Sequence, residues 1–106
     1  MDEKAFGTAM MDLYKRTLKE TGYPSRRFLA PLHDVRGMET ARTLINDEPP
    51  GDGFTAMWEK LRLDLTVENL VLQPEWQPLF SQEPSLLKKA HERLLKYGYQ
   101  PPEISN

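Results

Sequence analysis

The chain has 106 residues, no cysteine and a formal net charge of −2. That length suits one domain and buries roughly two-thirds of its unfolded surface, enough for a single core without metal or disulfide staples. The cysteine count excludes disulfides, thiolate zinc sites, iron–sulfur clusters and a cysteine nucleophile, and the slight acidity argues against a generally phosphate-coating protein.

The opening stretch, "MDEKAFGTAMMDLYKRTLKE", is acidic and amphipathic and lacks the basic start and apolar run of a signal peptide. No segment approaches the ~18 apolar residues of a membrane span. The expectation is a soluble protein of the cytoplasm. Residues 2–20 read as a helix, because Phe6, Met10, Leu13, Tyr14 and Thr17 recur at helical spacing. Acids lead and Lys15, Arg16 and Lys19 trail, as the macrodipole favours, and Gly22 and Pro24 stop it. Ser25 is placed to cap a short second helix holding Phe28, Leu29 and Leu32.

Beyond Gly37, "METARTLIND" carries Met38, Ala41, Leu44 and Ile45 on one helical stripe. The run "NDEPPGDG" is a loop by composition, with Asp52 expected as the N-cap of the next helix. There Phe54, Met57, Trp58 and Leu61 form an apolar face.

The stretch "RLDLTVENLVLQPEW", Arg62 to Trp76, follows. Leu61, Leu63, Leu65 and Val67 alternate like a strand, yet no second strand exists to satisfy its backbone groups. Thr66 reads instead as an N-cap, with Glu68 favourable in the first turn and Leu65 and Leu70 placed as a hydrophobic staple. The spacing predicts a helix over 66–73, entered through an extended "RLDL" and ended by Pro74. Ser81 to Tyr97 reads as the last helix, with Leu87, Ala90, Leu94 and Tyr97 inward and Leu86 and Leu95 widening that face. Pro84 fits only its first turn, and Gly98 suits a left-handed cap. The fold class is all-α: a bundle of five to six short helices in one domain over 1–100, with 101–106 an extended or flexible C-terminal tail.

Few residues point to chemistry. His33 and His91 lie in no HExxH or HxxxH pattern, so no metal is expected. Asp64 and Glu68 are four apart, but catalysis would need a desolvated cleft as well; an ion pair of Asp64 with Arg62 is the simpler role. No phosphate-binding glycine loop is present, and no cofactor, small-molecule substrate or enzymatic activity is expected. Lys89, Arg93 and Lys96, at i, i+4 and i+7, form one basic face able to contact phosphates, although such faces are more often solvated. Arg26 with Arg27, and Lys15 with Arg16 and Lys19, are further basic groups. Trp76, between two prolines, is a candidate anchor for a partner protein.

From about Gly37 to Tyr99 the chain resembles a recurring bacterial module without an assigned activity. The resemblance rests on Ala41 with Leu44 and Ile45, "GFTAMW" from Gly53, "RLDLTVENLVLQPEW", "LFS" from Leu79, Ala90 with Arg93 and Leu94, and "YGY" from Tyr97. Tyr23, Pro24 and Phe28 extend it toward the start. Met38 stands where such sequences often have a second glycine, and "SQEPSLL" puts a proline in an otherwise acidic helix start. The resemblance implies a small helical module, alone or attached to larger proteins. Together these readings give a non-catalytic protein-interaction module, bound to a partner or to itself through Arg62, Asp64, Glu68 and Trp76 on its outer surface. The alternative is a nucleic-acid-associated accessory protein using Lys89, Arg93 and Lys96.

Overall fold

Asp2 begins the first helix by accepting a hydrogen bond from the Ala5 N–H at 2.8 Å, so helix α1 spans Glu3–Thr21. In this computed structural model, which describes residues 2–24 and 37–105, four more α-helices follow: α2 (Gly37–Asn46), α3 (Asp52–Glu59), α4 (Val67–Val71) and α5 (Pro84–Lys96). Two 3-10 turns, Leu63–Leu65 and Gln77–Phe80, flank α4. No strand occurs among the described residues. The all-α expectation holds, as a single domain whose radius of gyration of 12.6 Å matches the ~13 Å of a compact chain this long. The short helix expected after Ser25 lies outside the described residues.

Helix α1 packs on α2, and α2 on both α4 and α5, which pack on each other. Phe6, Met10, Leu13 and Thr17 face inward from α1, as the spacing predicts. Gly37 is more than a breaker. A Cβ placed there would lie 2.8 Å from the Cα of Gly7, so α1 and α2 touch backbone to backbone where α2 begins. Phe6 beside this contact meets Phe80 edge-on at 5.3 Å and Trp76 at 5.4 Å. Val71, Leu72 and Leu94 complete the fully buried centre.

The choice between strand and helix for the stretch from Arg62 to Trp76 resolves through local bonds. "RLDL" is not extended: the Leu65 N–H donates to the Arg62 carbonyl at 2.9 Å, closing a 3-10 turn. Leu63, Leu65 and Val67 point into the core while Leu61 points out, which a strand could not do with alternating residues. Thr66 caps α4 as expected, accepting from the Asn69 N–H at 3.2 Å. Helix α4 is shorter than the predicted 66–73 and ends before Pro74.

Three boundaries also shift. Gly51, not Asp52, is the N-cap of α3, and Asp52 occupies the first helical position, where its charge still favours the dipole. Helix α5 begins at Pro84 rather than Ser81, because a proline tolerates only the first turn. Leu95 faces solvent instead of widening the inner face. Residues 99–105 carry no regular structure, yet they are held: Pro101 is buried and Ile104 packs on the core.

Candidate interaction surface

Helices α3 and α5 end in the same motif, built from different residues. At the end of α5 the Gly98 N–H donates to the Leu95 carbonyl at 3.1 Å and the Tyr99 N–H to that of Leu94 at 2.9 Å. Gly98 there takes φ +90°. This is a Schellman cap, in which a left-handed residue turns the chain off the helix. At the end of α3 the Leu61 N–H donates to the Trp58 carbonyl at 3.1 Å and the Arg62 N–H to that of Met57 at 2.7 Å. The residue in the glycine position is Leu61, with φ +60°.

A left-handed leucine costs roughly 1–2 kcal/mol of steric strain, and burial does not offset it, since Leu61 is 88% exposed. One turn back, Trp58 is 44% exposed. Its ring meets Tyr97 edge-on at 5.4 Å, and Tyr97 meets the buried Phe54 at 5.1 Å. These three rings form a ladder from core to surface that fixes the orientation of Trp58. The sequence suggested a continuous apolar face from Phe54 to Leu61. Only its first half, Phe54 and Met57, is core.

Behind Leu61, Arg62 donates to Glu20 at 2.6 Å and to both carboxylate oxygens of Asp64 at 3.1 and 3.2 Å. Arg16 bonds Glu20 at 2.6 Å and lies 3.8 Å from Asp64. Two guanidinium groups thus neutralise two carboxylates. Arg62 and then Arg16 hold the Glu20 carboxyl below the ordinary range, while Asp64 and Glu20 hold the Arg62 proton more tightly than usual. Burial, with the Asp64 charge second, pushes the Tyr99 phenol up. Arg62 and Asp64 therefore pair as the sequence suggested, and the pair ties the 62–64 turn to α1.

Glu68 does not join them on the surface. Its side chain and that of Arg93 are 4% and 6% exposed, and the two form an ion pair at 2.8 Å. Arg93 also donates to the carbonyls of Leu44 at 3.3 Å and Asp47, and its guanidinium sits 5.8 Å from the Phe54 ring centre. Burial pushes the Glu68 carboxyl up against the opposing pull of Arg93. Both residues are corrected from contact positions to an internal tie joining α4, α5, α3 and the end of α2. The burial of Arg93 also dissolves the basic face. Lys89 bonds Glu48 at 3.1 Å, and Lys96 is left as the exposed member. Trp76 is half-buried against Phe6, so Trp58 is the more exposed of the two tryptophans.

The remaining features offer less chemistry. A shallow groove of about 490 Å³ lies where the end of α2 meets the start of α5. Its Arg42 is engaged in two bonds to Glu83, at 2.7 and 2.9 Å. His91 Nε2 and Asn69 Oδ1 are buried without a hydrogen-bond partner. Among the described residues no three acids or histidines gather as metal ligands, and no helix is long and apolar enough to cross a membrane. His33, Asp34, Arg26 and Arg27 lie outside the described residues. Sequence reasoning missed Leu61 as a surface residue because leucine carries no local sign of a left-handed turn. No protein-family model, no curated protein and no solved structure matches this chain.

Proposed function

We propose that this chain is a non-catalytic, cytoplasmic helical interaction module that docks a protein partner through Trp58 and Leu61. The observation that carries this reading is Leu61: a strained backbone position, occupied by a large apolar side chain that gains nothing from the fold. Strain of this kind gathers at functional sites, where the surroundings enforce it. Trp58 supplies a rigid aromatic anchor beside it, and hot spots of protein interfaces are enriched in such residues. The partner surface that fits is an apolar pocket with a polar rim, because Glu59, Lys60 and Arg62 border the two anchors in sequence.

The test is differential capture. Wild-type chain and the variant Leu61→Asn, which tolerates a left-handed backbone, are used to purify partners from the native cell, and sedimentation reports self-association. A partner, or a second copy, retained by the wild type and lost from the variant supports the reading. Full retention by both Leu61→Asn and Trp58→Ala removes this surface from consideration.

A further inference from the structure

The side chain of Gln77 reads another part of the chain as though it were a strand. Its Nε2 donates to the Glu103 carbonyl at 2.8 Å, and its Oε1 accepts from the Ser105 N–H at 2.8 Å. The second Nε2 hydrogen goes to the carbonyl of Leu72, the residue that caps α4, at 2.7 Å. One carboxamide thus brackets Ile104, bonding the carbonyl before it and the amide after it. This is the pattern by which one residue of a parallel strand straddles a residue of its neighbour. Gln77 is buried, so the site is a formed, desolvated clamp rather than a surface contact.

The bracketed segment has the features of a bound peptide. It carries no regular structure of its own. Its anchors are Pro101, which is buried, and Ile104, which packs on the core three residues later. The two bonds from Gln77 go to backbone atoms that any sequence supplies, so specificity resides in the two side-chain anchors, as in strand-addition recognition. The left-handed turn at Gly98 lies just ahead of it.

The geometry points to a linear-peptide site centred on Gln77, occupied in cis by residues 101–105, that accepts in trans an extended partner peptide with proline at one position and an aliphatic residue three further on. The internal segment acts as a tethered competitor, whose effective concentration reaches the millimolar range for short linkers. The residues involved take no part in the Trp58–Leu61 surface, so either proposal can fail while the other stands.

The experiment measures binding of a fluorescent peptide of residues 99–105, YQPPEIS, to full chains by anisotropy. The variant Ile104→Asp, which releases the internal segment, should bind this peptide at least tenfold more tightly than the wild type. A peptide N-methylated at the Ser105 nitrogen, which removes the donor without altering the protein, should bind that variant at least tenfold more weakly. In the wild type, hydrogen exchange at the Ser105 amide should proceed by local opening, faster than exchange in α5. A folded Ile104→Asp variant that ignores the peptide overturns the proposal. So does a variant that unfolds, or a Ser105 amide that exchanges only on global unfolding, since either makes the segment part of the core.

Discussion

Replacing Arg93 by alanine leaves Glu68 as an uncompensated buried charge. Breaking a buried pair in this way costs about 3–5 kcal/mol. The part-buried carbonyls of Leu44 and Asp47 lose this donor as well. A loss of about 4 kcal/mol is a large part of the total of about 5–15 kcal/mol expected for a domain of this size. Its pH dependence has a definite sign. Burial already raises the Glu68 carboxyl above the unfolded value of 4.5, and Arg93 opposes that rise. Without Arg93 the folded value climbs further, so the folded state holds more protons than the unfolded one between the two values. Stability then falls as pH increases through that window. Urea unfolding of Arg93→Ala at about pH 5 and about pH 8, followed by circular dichroism, should show the larger loss at the higher pH. A loss below about 1 kcal/mol at the higher pH would refute this view of the pair, as would equal losses at both. The double variant Glu68→Leu with Arg93→Met should recover most of the stability.

Gly37→Ala should destabilise by about 1–3 kcal/mol despite the better helix propensity of alanine, because the new Cβ meets the backbone of Gly7 rather than a movable side chain; thermal melting checks it. Leu61→Gly should stabilise by about 0.5–1 kcal/mol through relief of the left-handed strain, raising Tm by several degrees while weakening partner capture. Glu20→Gln should flatten the acid limb of the stability profile. The folded Glu20 carboxyl lies below its unfolded value of 4.5, so it contributes stability above that value, lost as pH falls through the folded one. The stabilities of the two proteins should differ by a constant amount above pH 4.5 and converge progressively as pH falls below it through the folded value.

Periodic, local features were legible and relational ones were not. Helix α1 could be bounded to within a residue because nineteen positions repeat one spacing and both ends carry their own signals. Thr66 could be identified as a cap because its bond partner lies three residues away. Glu68 was read correctly as an acid in a first turn, but its burial depends on Arg93, 25 residues further along. The same dependence hid Arg93, whose helical spacing with two lysines imitates a surface face. Gln77 carried no signal at all, since its partners are backbone groups that any residue possesses. Leu61 misled in the opposite sense: its spacing completed an apolar stripe, and only the backbone dihedral reveals that the helix has already ended.

The Arg93 guanidinium also has a kinetic consequence. Its partners belong to α4, to α3 and to the end of α2, segments that must all be docked before the cation finds its anion and carbonyls. An interaction needing so many distant pieces is expected to form after the rate-limiting barrier to folding. Its removal should therefore leave the refolding arm of the chevron nearly unchanged and raise the unfolding rate. On that outcome Arg93 would be a latch on the finished molecule, governing how long the native state persists more than how quickly it is reached.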